Sequence, residues 1–313
     1  MFGIGGLELR SMKLNHKRVL LDGGLGRELR FRGVALPKTI WSAGALMTDP
    51  EVVRQIHLDY IAAGADIITT NTYGVIRKEL AKEGLEDRFA ELNKLACNLA
   101  LEAREASGRE VVIAGSLPPL GGSYRPDLVG PPQEIEALYQ EQAELLAPHV
   151  DLLLCETMSS ATEGHAAAKA ACRTGKPVWV AWTLHENRSG NLRSGENVTK
   201  AVAALQELPV SGFLANCCAP ESITKMMPQL AETGAQWIGG YANTFTSVPE
   251  DWTLEGEKDT DGLLALRPDL GPEEYSAHVS QWLAVGATVV GGCCGTRPSH
   301  TAKMRALLDG KLP

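Results

Sequence analysis

The sequence is short of several things, and each absence argues against a class of protein. It holds only seven cysteines in 313 residues, an odd number. That is no framework for a disulfide-built secreted domain, and it fits free or metal-bound thiols in a reducing compartment. No apolar run approaches the ~20 residues that a membrane span needs. No block of Lys and Arg stands out against a net charge of −8, so nucleic acid is not expected as a partner. The opening MFGIGGLELRSMKLNHKR has neither the long apolar segment nor the small-residue cleavage site of a signal peptide. A cytoplasmic protein with no membrane partner is the expectation. The dinucleotide fingerprint G-x-G-x-x-G is missing too: DGGLGREL spaces Gly23, Gly24 and Gly26 differently.

What is present is a rhythm. Short β-branched runs alternate eight times with amphipathic stretches. The runs are RVLLDGG (18–24), DIITTNTY (66–73), VVIAGSL (111–117), LLLCETM (152–158), PVWVAWTL (177–184), GFLANCC (212–218), QWIGGYAN (236–243) and ATVVGGCC (287–294). Each is continuously apolar, as parallel strands covered on both faces are. Between them, DPEVVRQIHLDYIAAGA carries an Asp at the helix start, places Val52, Val53, Ile56, Tyr60 and Ile61 at helical spacing, and stops at Gly64. Four helical segments end in a similar phrase before the next strand: AAGAD, TGKP, TGAQ and VGAT. Each puts Gly near the helix C-cap. Eight βα units at this length predict an α/β fold, a single (β/α)8 TIM barrel over residues 1–313, rather than a doubly wound open sheet. The Pro-, Gly- and acid-rich stretch 245–274 reads as a long loop after the seventh strand.

In such a barrel the active site lies at the C-terminal ends of the strands. That rule turns the strand list into candidates: Asp22, Gly23 and Gly24, then Thr69 to Tyr73, Ser116, Glu156, Asn216 with Cys217 and Cys218, Tyr241, and finally Cys293 and Cys294. Neighbouring cysteines rarely bridge each other, because consecutive Cα atoms are only about 3.8 Å apart. Three or four thiols at two strand ends instead suit a soft metal such as Zn2+. Neither doublet has the C-x2–4-C spacing of closed structural sites, which favours an open site. The glycines beside Cys293 and Cys294 let the backbone bend, so that both sulfurs face one point. The spacing also leaves open that these thiols are small buried packing residues. Cys97, Cys155 and Cys172 read as core.

The segments LLDGGLGREL, TDPEVVRQIHLDYIAAGADIITTNTY, CET, ANCC and GGCCGTRP resemble the homocysteine S-methyltransferase family, from about residue 19 to 308. The resemblance implies a zinc-bearing barrel that methylates homocysteine to methionine. It implies Cys217, Cys293 and Cys294 as the zinc ligands, with Cys218 a bystander because the family varies that position. It places Asp22, Gly23 and Gly24 near the amino-acid substrate, Glu156 on the homocysteine ammonium, and Trp41 and Tyr73 near the methyl donor. An onium donor is attracted by aromatic faces, which adds Tyr241; Ser116 and Asn216 complete the expected substrate-binding set. S-methylmethionine or S-adenosylmethionine is the expected donor. Betaine, or another thiol or selenol as acceptor, is the alternative; a thiol-based redox or metal-sensing barrel is the reading of a different class. The oligomer-building C-terminal extension of betaine-type members is not among these residues, so a monomer or weak oligomer is expected.

Overall fold

The computed structural model describes residues 18–253 and 264–311. The expectation about the N-terminal segment concerns residues that fall, apart from Arg18, outside this range, as does the middle of the long loop after the seventh strand. All eight expected strands form: β1 (Val19–Leu20), β2 (Ile67–Thr69), β3 (Val112–Leu117), β4 (Leu152–Met158), β5 (Val178–Trp182), β6 (Val210–Asn216), β7 (Trp237–Ala242) and β8 (Val289–Gly292). Every neighbouring pair is parallel, in the order β1-β8-β7-β6-β5-β4-β3-β2. The two ends meet through a parallel bridge between Leu21 and Ile67. There Asp66 N donates to Leu20 O at 2.8 Å and Asp22 N to Ile67 O at 3.0 Å. The sheet is thus closed into a (β/α)8 barrel.

Helices wrap this barrel in the expected places, among them Pro50–Ala62, Phe89–Ser107, Pro132–Leu146, Ala161–Cys172, Pro220–Ala231, Pro272–Val285 and Pro298–Leu308. Five of these begin on a proline, which lacks the N–H that the first turn cannot use. In the helix Pro50–Ala62, Val53, Ile56, Tyr60 and Ile61 are buried and Val52 is partly so. Its Asp49 differs from expectation: it occupies the cap position, but its side chain makes no capping hydrogen bond. The four recurring glycines behave as their phrase requires. Gly64, Gly175, Gly234 and Gly286 have φ of +106°, +73°, +68° and +116°, left-handed values that only glycine adopts without strain.

Two hydrophobic layers result. One lies between strands and helices and includes Cys97, Cys155 and Cys218, with Cys172 at its margin. The other fills the barrel itself, where Trp179 and Trp237 pack with ring centroids 5.6 Å apart. The helices also tie the strand-end loops together. Tyr60 donates towards Gly24 O (3.3 Å) and Thr296 O (3.1 Å), joining the loops after β1 and β8. Tyr275 donates to Gly291 O at 2.8 Å and accepts from Ala242 N at 2.8 Å, fixing the tops of β7 and β8. No helix among the described residues is long and apolar enough to cross a membrane.

Candidate active site

The sulfurs of Cys217, Cys293 and Cys294 lie within 4.8 Å of one another at the C-terminal mouth of the barrel. Two local devices bring them together. Cys217 is the first residue past β6 and has φ of +51°, a left-handed turn that aims its thiol inward while Cys218 enters the outer hydrophobic layer. Cys293 and Cys294 follow the end of β8, and the chain turns at Gly295, with φ of +85°. The loop after β1 then packs against this pair at very close range. A Cβ on Gly24 would sit 2.7 Å from Cys293 O and 3.0 Å from Cys294 Cα, so only glycine fits there. The Cys217 and Cys294 sulfurs are 3.8 Å apart. The neighbouring thiols of Cys217 and Cys293, with a smaller contribution from Arg27, hold the Cys294 thiol well below its ordinary pKa despite burial.

Two buried carboxyl groups share this mouth. Asp22 accepts from Thr69 N at 2.7 Å and from Thr69 Oγ1 at 3.0 Å. Burial pushes its pKa up to about 7, against the pull of those bonds and with a further push from Glu156. Glu156 accepts from Ser116 Oγ at 2.5 Å, from Tyr241 OH at 3.1 Å and from Asn216 Nδ2 at 3.4 Å. Its pKa also rises to about 7 through burial, opposed by the Ser116 and Tyr241 hydroxyls. Glu156 sits where β4 departs from regular pairing with β5, between Cys155 and Met158. The next residue, Thr157, has φ of +62°. Asn216 stabilises that kink: its Oδ1 accepts from Thr157 N at 2.8 Å and its Nδ2 donates to Thr157 Oγ1 at 2.9 Å.

A cavity of about 390 Å³ opens above these groups, within the roughly 300–1,000 Å³ usual for small-molecule sites. Asp22, Gly23, Gly24, Glu156 and all three thiols line it, as do Trp41, Tyr73 and Tyr241. Ser116 and Asn216, expected to bind substrate, do not reach it. They stand behind Glu156, fully buried, and spend their polar atoms on it and on Thr157. The threonines of the second strand end divide similarly: Thr69 holds Asp22, whereas Thr72 Oγ1 donates to Ser116 O at 2.7 Å. Tyr241 turns its hydroxyl to Glu156, while the Tyr73 hydroxyl lies 2.7 Å from Ser123 Oγ.

Sequence reasoning missed a set of loop residues. Tyr124, in GGSYRP after β3, brings its hydroxyl to 2.9 Å from Cys217 Sγ. Phe245, Val248 and Trp252 from the loop after β7 form an apolar wall beside Tyr124 and Cys217. Arg27 donates to Leu264 O and lies 5.1 Å from the Phe245 ring centroid, pinning the return of that loop. Arg193 is buried and bonds three carbonyls, of Tyr124, Val248 and Pro249. The only sequence signal was position: a tyrosine beside glycines in a strand-to-helix loop, and a loop too long to be a simple connection.

Known proteins match this chain along nearly its whole length. A family model described as homocysteine S-methyltransferase covers residues 19–308. A homocysteine S-methyltransferase of Escherichia coli (strain K12) is 30% identical over 95% of this chain and 97% of its own. A selenocysteine methyltransferase of Astragalus bisulcatus is 28% identical, covering 95% and 94%. Among solved structures, the metallated form of the homocysteine methyltransferase MmuM from Escherichia coli superposes with a TM-score of 0.80 at 28% identity, over 96% of this chain and 99% of that one.

Proposed function

The chain belongs to the homocysteine S-methyltransferase family, and from that premise we propose that it transfers a methyl group from an onium donor to homocysteine, giving methionine, at the mouth lined by Asp22, Glu156 and the three thiols. One observation carries this reading: three thiols within 4.8 Å of one another share a small-molecule cavity with two buried carboxyl groups. A thiol sensor has no use for such a pair of acids, whereas an enzyme acting on an amino acid must hold an ammonium group.

The thiols fit zinc. A tetrahedral site with Zn–S bonds of about 2.3 Å places its sulfurs about 3.8 Å apart, and Cys217 and Cys294 already stand 3.8 Å apart. Cys217, Cys293 and Cys294 would hold the ion and leave a fourth position open, as catalytic zinc sites do. A zinc ion held there would lower the pKa of a coordinating thiol, which when free, with pKa near 8.5, is mostly protonated at neutral pH. Three anionic ligands keep electron density high on sulfur, which preserves its nucleophilicity.

The remaining work belongs to the side chains. Glu156, aimed by Ser116, Tyr241 and Asn216, takes the α-ammonium of the amino acid. Asp22 is held by Thr69 on the neighbouring wall and contributes a second acidic contact. Trp41, Tyr73 and Trp252 line the cavity and offer ring faces to a cationic donor. The donor leaves as a neutral molecule, so transfer needs alignment of the methyl carbon with the acceptor sulfur and no general acid. A sulfonium such as S-methylmethionine suits this chemistry best.

The test is a donor panel. The full chain, loaded with zinc, is incubated with homocysteine and S-methylmethionine, S-adenosylmethionine or betaine, and methionine is quantified. Methionine from a sulfonium donor is expected. Methionine from betaine alone would overturn the donor assignment, and none from any donor would overturn the transfer itself.

A further inference from the structure

Tyr124 is not explained by the chemistry above. Its hydroxyl lies 2.9 Å from Cys217 Sγ, yet it comes from a different loop, after β3. The residue adopts φ of +64°, a left-handed conformation that is costly for a side chain with a Cβ. The surroundings enforce it. Arg193, itself only 5% exposed, donates from Nε to Tyr124 O at 3.3 Å and from Nη2 to Val248 O at 3.0 Å and Pro249 O at 2.7 Å. Its guanidinium also sits 5.9 Å from the Tyr124 ring centroid. Trp252 packs edge-on to the same ring at 5.2 Å. A buried cation thus clamps the loops after β3 and β7 around one tyrosine, and the clamp aims the hydroxyl at one sulfur.

Resting on the metal reading above, we infer that Tyr124 is a positioning residue for the centre: its hydroxyl donates a hydrogen bond to ionised Cys217 and keeps that sulfur available as a ligand. The direction follows from chemistry. A thiolate has no proton to give, so the phenol must be the donor. Cys217 is 4% exposed and has little water to solvate its charge. Its sulfur must also stay within 4.8 Å of the sulfurs of two other thiols. A hydrogen bond from a clamped phenol at 2.9 Å fixes the sulfur in that place, as outer partners of metal ligands do. Packing against Phe245 and Val248 needs only the ring, so the hydroxyl is the group with the specific task.

Tyr124→Phe removes that hydroxyl and keeps the ring. Zinc affinity of the full chain is measured by competition with a chromophoric chelator, and the cobalt-substituted protein is examined for its thiolate-to-cobalt charge-transfer band. Wild type is expected to hold one zinc, and Tyr124→Phe to bind it about 10–100-fold more weakly, the usual effect of losing an outer partner of a metal ligand. The cobalt band is expected to move to longer wavelength, because the sulfur loses a bond that stabilises its lone pairs. Tyr139→Phe, whose hydroxyl faces Met158 Sδ at 3.7 Å, serves as the control and should change neither readout. A folded Tyr124→Phe with wild-type zinc affinity or an unmoved band overturns this inference alone. A wild-type chain that takes no zinc overturns the metal reading, and this inference with it.

Discussion

Replacing Glu156 by Gln separates what the carboxylate does for substrate from what it costs the fold. The substitution keeps the size of the side chain and an oxygen for Ser116 Oγ, which now donates at 2.5 Å. It removes the charge. Burial lifts the Glu156 pKa from 4.5 to about 7, so its effect on stability has a definite sign. Below pH 4.5 both folded and unfolded chains hold the proton and there is no penalty. Between 4.5 and 7 only the unfolded chain ionises, and stability is progressively lost. At 1.36 kcal/mol per pH unit the full loss is about 3 kcal/mol by pH 8, of which only about 1.4 kcal/mol has accrued at pH 5.5. Glu156→Gln should therefore gain about 2 kcal/mol on wild type between pH 5.5 and pH 8, or roughly 3 °C in Tm for a chain of this size. The cost falls on binding. An ammonium left without its buried partner forfeits about 3 kcal/mol or more, which is roughly a 100-fold rise in KM for homocysteine. Zinc content should not change. Wild-type KM should itself rise as pH falls from 8 to 6, since Glu156 takes up its proton there, and the variant should lose that pH dependence. Thermal melts at two pH values, with initial-rate kinetics, check all of this. An equal Tm shift at pH 5.5 and pH 8, or an unchanged KM, would refute the assignment.

Elemental analysis of single alanine variants should find zinc lost from Cys217→Ala, Cys293→Ala and Cys294→Ala and kept by Cys218→Ala, whose thiol lies in the outer hydrophobic layer; retention of zinc in any of the first three removes that residue from the ligand set. Gly24→Ala drives a methyl group into the backbone of Cys293 and Cys294, where no side chain can move aside. It should cost about 1–3 kcal/mol of stability and weaken zinc retention together, and a variant with wild-type melting and zinc content would show that the two loops are not rigidly packed.

The frame of the barrel was legible because its signals are redundant. Eight apolar runs and four Gly-marked helix ends each point to the same repeat, so misjudging any one boundary by two or three residues left the topology unchanged. β1 is the clearest case: it is only Val19–Leu20, far shorter than the expected run, yet the bridge from Leu21 closes the barrel as required. The chemical residues at the strand ends were legible for the same reason, since the fold assigns them a common mouth. Which of them face the cavity was not. Ser116 and Glu156 are both strand-end polar residues, and no local pattern separates the one that reaches the cavity from the one that supports it. That distinction depends on the kink after Glu156, which Asn216 holds from β6, two strands away. Tyr124 was beyond reach altogether, because its placement is set by Arg193, 69 residues away, and by a loop from the opposite side of the barrel.

A raised carboxyl pKa does not by itself mark a functional acid here, and Glu163 shows why. Burial lifts it to about 7, as far as Glu156. Yet its carboxylate accepts from Ser159 N at 2.7 Å and Ser159 Oγ at 2.8 Å, while Ser160 Oγ accepts from its own N–H at 3.2 Å. It lies in the first turn of helix Ala161–Cys172, where negative charge is favourable, and its bonds close locally without reaching the cavity. Asp22 and Glu156 differ in what their oxygens face, not in how far they are perturbed. Both line the cavity beside three thiols, and the groups that hold them come from other strand ends: Thr69 for Asp22, and Ser116, Asn216 and Tyr241 for Glu156. A local cap needs one helix. An acid fixed from three other strands and turned towards a cavity is paid for by the whole barrel, and under the proposed function a bound ammonium would be the partner that returns the charge its burial disfavours.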